Sequence, residues 1–328
     1  MTCPFLLQEV IFSKKNPINL PLRDGPNGAQ ALAASGGEGR KHSADVHPRA
    51  CRGHPPDPNA ACGRKGPRPL AVERSVTLRY IASVSFGKDS LAMLLLLLEK
   101  EMPLDEVIFY NSEMEFQAIY DIRDRMRPVL EQRGIRFTEV KPDAPFLYYM
   151  LEKPINSRKN GFHHGYGWCG GPCRWGTKLK MNALDSLALD AEKHYVGIAA
   201  DELDRLEKLK APKCSPLAEA GITEADCLEY CYQRGFFWEE NDVRLYDILD
   251  RVSCWCCKNK NRKELKAIYQ YLPHYWSRLK ELQAQIPMPM KPYSRMGVPY
   301  GNVFDLEKVF EREIREESSV PLSKRRVA

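Results

Sequence analysis

From Leu78 onward the apolar positions follow two alternating rhythms. Short runs dense in β-branched and aromatic residues are followed by longer stretches in which apolar positions recur every three to four residues. The pattern predicts strands over 78–85, 106–110, 136–140 and 194–199, and helices over 89–101, 116–133 and 174–188. Strands that alternate with helices pair in parallel through right-handed crossovers, so the expected fold class is α/β, a doubly wound, mostly parallel sheet with helices on both faces. Ligands of such sheets bind beyond the carboxyl ends of the strands. The turn Ser83–Ser90, Asn111 and Asp201 all fall there.

The rhythm stops at Cys214. Helical periodicity then dominates, over roughly 223–235, 244–251, 261–271, 274–284 and 304–317, with 287–299 as an irregular connector. The expected organisation is a nucleotide-binding domain over 76–212 and a small helical, cysteine-rich subdomain over 213–328. The five leucines Leu94–Leu98 read as core. The charged positions of helix 116–133 (Asp121, Arg123, Asp124, Arg125, Arg127) read as a solvated face rather than a binding surface.

Composition changes this picture mainly before Leu78. Residues 1–75 hold 8 of the 21 glycines and 10 of the 24 prolines, and carry 11 Lys and Arg against 6 Asp and Glu. Of the formal net charge of +6, that segment accounts for +5. It reads as a disordered tail, and its scattered prolines and acidic residues suit a transit peptide poorly. The folded part is close to neutral, so domain charge lends a nucleic-acid partner no support. No run approaches the roughly 18–20 apolar residues of a membrane span, and the protein reads as cytoplasmic with no membrane partner.

The chemistry concentrates in Ser83–Ser90, where small residues separate a strand from a leucine-rich helix. The first amides of a helix lack intrahelical partners and sit at the positive end of its dipole, so such a turn can cradle phosphate. Gly87 permits close approach, Lys88 supplies a point charge, Ser85 and Ser90 supply hydroxyls, and Asp89 can cap the helix or hold Mg2+. A capped helix start with no ligand is the competing reading. The G-x-x-x-x-G-K-[ST] loop does not match, since no glycine stands five residues before Gly87. Between the two halves of the chain, His163-His164-Gly165-Tyr166-Gly167-Trp168 forms a loop that could close over a nucleotide or pack on its own aromatics.

Ser85-Phe86-Gly87-Lys88-Asp89-Ser90 resembles the S-G-G-K-D-S signature of the PP-loop ATP pyrophosphatases, with Phe86 where the first glycine usually stands. The variant is most similar to the phosphoadenosine phosphosulfate reductase family. Arg174-Trp175-Gly176-Thr177-Lys178-Leu179-Lys180 is similar to that family's R-W-C-T-x-x-L-K, with Gly176 for its cysteine. Gly197-Ile198-Ala199-Ala200-Asp201-Glu202 with Arg205 is similar to its G-x-R-x-x-E-S-x-R. The resemblance spans roughly 78–210. It implies an adenine nucleotide alpha-hydrolase-like fold, ATP or a related adenine nucleotide as ligand, and Ser85, Phe86, Gly87, Lys88, Asp89, Ser90, Arg174, Gly197, Asp201 and Arg205 around it, with Lys88 and Asp89 in the catalytic roles.

Cysteine is the second signal. Eleven are present and eight lie in the folded part: Cys169, Cys173, Cys214, Cys227, Cys231, Cys254, Cys256 and Cys257. Cys254-Trp255-Cys256-Cys257 places three thiols in four residues, ahead of Lys258, Lys260 and Arg262, whose charges favour thiolates. A tetrathiolate site is expected, drawing on Cys214, Cys254, Cys256 and Cys257, with Cys227 or Cys231 as substitutes. It suits Zn2+ or, alternatively, a 4Fe-4S cluster, and buried structural cysteine is the competing reading. Cys169 and Cys173 form a separate pair, readable as redox thiols, further ligands or loop residues.

Three functions follow from these residues. The first is ATP-dependent nucleotidyl or sulfur transfer with release of pyrophosphate, to an acceptor and from a sulfur donor the sequence does not name. The second is a sulfonucleotide reductase with an internal cysteine as nucleophile, disfavoured because nothing resembling that enzyme's C-terminal E-C-G-[IL]-H follows Cys257. The third is a non-catalytic, zinc-stabilised module that binds nucleic acid or a protein partner.

Overall fold

The computed structural model describes residues 78–319 apart from 159–160, 170–171 and 296–297; the side chains of 174–175 and 293–300 also lie outside the description. The segment 1–75, expected to be a disordered tail, lies outside it too.

The elements run β1 (Tyr80–Ser83), α1 (Lys88–Glu99), β2 (Glu106–Tyr110), α2 (Gln117–Gln132) and β3 (Arg136–Val140). A π-helical turn at Tyr148–Glu152 leads to the hairpin β4 (Pro154–Ser157) and β5 (Gly161–His164). A second π-helical turn, Arg174–Leu179, runs into α3 (Lys180–Leu187), followed by β6 (Lys193–Val196), α4 (Leu203–Leu206) and β7 (Lys213–Cys214). Then come α5 (Pro216–Glu219), α6 (Glu224–Gln233), β8 (Glu239–Glu240), β9 (Val243–Arg244) and α7 (Leu245–Ile248). The chain closes with α8 (Arg262–Tyr271), α9 (Pro273–Gln285), β10 (Tyr293–Arg295), β11 (Val298–Tyr300) and α10 (Val303–Ser319).

The central sheet is parallel throughout, in the order β3-β2-β1-β6-β7. The chain moves outward from β1 to β3 and then returns across β1 to β6, so the strand order reverses between β1 and β6. That reversal opens a crevice at the carboxyl ends of these two strands. Ser83 and Val196 are register partners at its mouth.

Every residue of α1 from Ser90 to Leu98 is buried. A helix apolar all round must be covered all round. The sheet covers one side of α1, and α5 and α6 pack along the rest. Each fully buried leucine contributes about 1.5–3 kcal/mol of transfer free energy. On the other face, Leu184 and Ala188 of the α3 segment pack on Ile81, Ile108 and Tyr110.

The described residues from 78 onward group into one compact unit. The reason is physical: β7 extends the sheet beside β6, and α6 packs along α1. At the amino-terminal edge of the sheet, buried Glu106 accepts hydrogen bonds from Arg79, Thr138 and Arg136, the last at 2.6 Å. Burial alone raises its pKa, but these three donors outweigh it and hold the carboxyl below its ordinary value. No helix among the described residues is long and apolar enough to cross a membrane.

Candidate nucleotide and thiol sites

The turn between β1 and α1 is tied together by one hydroxyl. Ser90 Oγ accepts from the Ser85 amide at 3.1 Å, donates to the Gly87 carbonyl at 3.1 Å and lies 3.0 Å from Ser85 Oγ. Gly87 is the N-cap of α1 and offers no side chain to cap it. Phe86 adopts φ 58°, the left-handed region, where a non-glycine residue carries about 1–2 kcal/mol of strain. This explains why a glycine usually stands at that position. Here the strain is offset by the ring, which is fully buried edge-on to Phe109 at 5.3 Å, and by the carbonyl, which accepts from Trp238 Nε1 at 2.8 Å. The Phe86 side chain therefore belongs to the core, and only its backbone belongs to the turn.

Gly197, just beyond β6, closes the crevice from the other side. A Cβ there would lie 2.7 Å from Ser90 Cα and 2.8 Å from the Ser90 nitrogen. The strand end thus packs directly on the first turn of α1. Ser85, Ser90, Gly197 and Arg205 line a cavity of about 400 Å³ that continues beneath α3 along the face of β1, β2 and β6. A cavity of that size lies within the usual range for small-ligand sites.

Lys88 departs from the expected convergence. Its side chain leaves the serines and enters a second cavity, about 320 Å³, bounded by Glu224, Tyr246 and Asp247. There Nζ lies 2.7 Å from Asp89 Oδ1, 3.2 Å from the Glu224 carbonyl and 3.6 Å from Glu224 Oε2. Carboxylate oxygens of Asp89, Glu202 and Glu224 lie within 4.8 Å of one another. That oxygen set is suited to a hard divalent cation such as Mg2+. The amide of Lys88 donates to Tyr246 Oη at 2.9 Å, so a tyrosine from α7 already caps the helix start.

Other residues named from the sequence fall as follows. Asp201 Oδ1 accepts from the Glu224 amide at 3.0 Å and so braces the start of α6. Arg205 pairs with Glu202 at the cavity rim. Arg174 opens the second π-helical turn, and its side chain lies outside the described residues. His163 sits on β5, its Nδ1 3.1 Å from the Gly161 carbonyl, in a hairpin the sequence did not predict.

The cysteines separate into three groups. Cys227 and Cys231 are buried on α6 against α1, Cys231 Sγ lying 3.5 Å from the Lys88 carbonyl. Burial first, and then Asp89, pushes the Cys227 thiol up to about 12, and burial pushes that of Cys231 further still. These are core thiols. Cys214 pairs with Tyr195 on the sheet, and its charged neighbours are Glu219 and Lys193. The third group is Cys254, Cys256 and Cys257, docked beyond β2 through the Trp255 amide to the Met114 carbonyl at 3.0 Å. Cys173 lies within electrostatic range of Cys256.

Burial is the main cause that raises the thiols of Cys254 and Cys256. Ser112 Oγ and Glu115 Oε1 lie 3.6 and 3.7 Å from Cys254 Sγ. Buried Lys260 brings an amine to the same neighbourhood; burial lowers its pKa, against the opposing effects of Glu264, Cys257 and Cys254. Tetrahedral zinc, with Zn–S of about 2.3 Å, needs sulfurs about 3.8 Å apart. Among the described residues no three cysteine sulfurs lie within 4.8 Å of one another. The set as folded is wider than one zinc ion requires. Tyr110, His194, Glu224 and Tyr246 carried no sequence signal, because each reaches its site from an element distant in the chain or from inside a strand.

Residues 79–153 match the phosphoadenosine phosphosulfate reductase domain, a span that includes the turn Ser85–Ser90 and ends before Arg174. No curated protein matches the chain. Among solved structures it is similar to the U34-tRNA thiolase NcsA from Methanococcus maripaludis with its 4Fe-4S cluster. The identity is 16% and the TM-score 0.35, with 73% of this chain and 72% of that chain covered.

Proposed function

We propose that this chain, whose residues 79–153 match the phosphoadenosine phosphosulfate reductase domain, binds an adenine nucleotide in the crevice between β1 and β6 and catalyses ATP-dependent transfer in a sulfur pathway. The observation that carries this reading is the switch-point cavity, bordered by the first turn of α1, Ser85, Ser90, Gly197 and Arg205. Amides and hydroxyls at the helix start hold the phosphates, and Arg205 faces them from the rim. Lys88 and Asp89 occupy the first turn of the same helix. In the ligand-free chain the Lys88 ammonium pairs with Asp89 and Glu224 in the adjoining cavity; on binding, Mg2+ takes the oxygens of Asp89, Glu202 and Glu224 and releases that ammonium toward the leaving pyrophosphate.

In the activation step an acceptor oxygen attacks the α-phosphorus of ATP. The bond from that phosphorus to the bridging oxygen breaks, and pyrophosphate leaves with the electron pair. A sulfide-level donor then displaces AMP from the adenylated acceptor. No redox change is needed. Sulfonucleotide reduction is the weaker reading, because Cys254 and Cys256 are buried with raised thiol pKa values and are not poised as nucleophiles. Cys173, Cys254, Cys256 and Cys257 form a soft donor set that fits an iron–sulfur cluster better than zinc; when bound, such a group supplies electron or sulfide chemistry.

Equilibrium binding of Mg-ATP tests the nucleotide reading. The wild type is expected to bind, and Lys88→Ala to bind about ten- to a hundredfold more weakly, the effect of one charge-assisted contact of about 1.5–3 kcal/mol. A wild type that does not bind ATP, or a variant that binds it equally well, overturns the reading.

A further inference from the structure

The cavity has two unlike ends. Its mouth carries the serines and Gly197, the phosphate end. Its far end runs along α3, bordered by Ile108 of β2 and Leu184 of α3, and is floored by Ser83, Tyr110 and His194. All three floor residues project from the same face of the sheet, which the strand register requires: Ser83 is two residues beyond Ile81, Tyr110 is two beyond Ile108, and Ile81 opposes His194.

Tyr110 is 3% exposed, and its hydroxyl has no hydrogen-bond partner among the described residues although it lines the cavity. A buried hydroxyl left unpaired costs about 1–3 kcal/mol, so such a group points to a ligand that satisfies it. Burial keeps the phenol protonated, its pKa pushed up to about 12. Beside it, Ser83 Oγ lies 2.6 Å from His194 Nε2. Burial, and then Lys213, lowers the imidazole to about 4, so it is neutral at ordinary pH. A neutral imidazole can give a proton to Ser83 Oγ or take one from it. Ser83 accordingly turns either a donor or an acceptor toward the cavity.

We propose that Tyr110 and Ser83, the latter set by His194, read the hydrogen-bonding edge of the nucleobase, making the far end of the cavity the base-recognition pocket of the proposed nucleotide site. Ile108 and Leu184, packed together at its side, suit one face of a flat heterocycle. The polar floor suits an edge that carries both a donor and an acceptor, as adenine does. Tyr110 and Ser83 are specificity residues under this assignment, and His194 is a positioning residue. The inference rests on the nucleotide reading above, and the following test separates the two.

Binding of ATP, GTP and inorganic triphosphate is measured on the full chain, for the wild type, Tyr110→Phe and Ser83→Ala. Tyr110→Phe removes a hydroxyl that is unpaired in the ligand-free chain, so its melting temperature is expected to equal or exceed that of the wild type. Its affinity for ATP is expected to fall five- to tenfold while that for triphosphate is unchanged. Ser83→Ala is expected to narrow the preference for ATP over GTP. Unchanged ATP affinity in Tyr110→Phe, or equal losses for ATP and triphosphate, overturns the base pocket and leaves the phosphate site standing. A wild type that binds triphosphate as tightly as ATP has the same meaning. Failure of the wild type to bind ATP overturns both.

Discussion

At the scale of single residues, burial and backbone conformation decide roles that residue type alone leaves open. His194 is the clearest case. It is 2% exposed, faces Lys213 from β7 and Asp185 from α3, and has its pKa lowered to about 4 by burial first and Lys213 second. Lys213 and Asp185 are themselves paired at 2.6 Å. In the unfolded chain the same imidazole titrates near 6.5. Between these values the unfolded chain binds a proton that the folded chain does not. The stabilisation is therefore complete above about pH 6.5, falls as pH is lowered toward 4, and amounts to on the order of 3 kcal/mol. Urea unfolding across pH 4–7 is expected to show this slope in the wild type and to lose it in His194→Gln; equal slopes in both would remove His194 from the account. Phe86 teaches the same lesson in reverse. The sequence places it in a phosphate turn by its neighbours, whereas a φ of 58° and full burial make its ring a core element.

At the scale of elements, most of the sheet was legible because its signal is local. β2 and β3 occupy the predicted ranges 106–110 and 136–140, and α1, α2, α6 and α8–α10 lie within two residues of theirs. What the sequence hid is short or cooperative. β7 has only two residues, and its strand character comes from pairing with β6. The predicted helix 174–188 opens as a π-helical turn capped by Cys173, whose sulfur accepts from the Gly176 amide at 3.3 Å. Residue spacing says nothing of either. The start of α6 was readable, since Thr223 and Asp226 form a capping box. Thr223→Ala is expected to cost about 1 kcal/mol of stability, the usual worth of such a cap. Because Glu224 follows directly and bears on both Lys88 and Asp89, denaturant unfolding should be accompanied by weaker Mg2+ dependence of ATP binding. An unchanged midpoint would mean that α6 is held by its packing on α1 alone.

At the scale of the whole molecule, the candidate chemistry is assembled from segments far apart in sequence. Cys173 lies more than eighty positions before Cys256 and still reaches its electrostatic neighbourhood, whereas Cys214, nearer in sequence, is held on the sheet edge. Iron and acid-labile sulfide, measured on protein purified without oxygen, are expected to be lost in Cys173→Ser and retained in Cys214→Ser. The opposite pattern, or zinc alone in the wild type, would refute the thiol set drawn here. The contact between the Lys88 amide and Tyr246 Oη carries a consequence for communication between the two halves. The helix start that would receive an anion is already satisfied by the chain's own phenol, on the short helix that leads into the loop carrying Cys254. An anion that claims this amide must first displace Tyr246. Linkage then runs both ways: whatever firms the segment from Tyr246 to Cys257 weakens the anion, and the anion loosens that segment to the same degree.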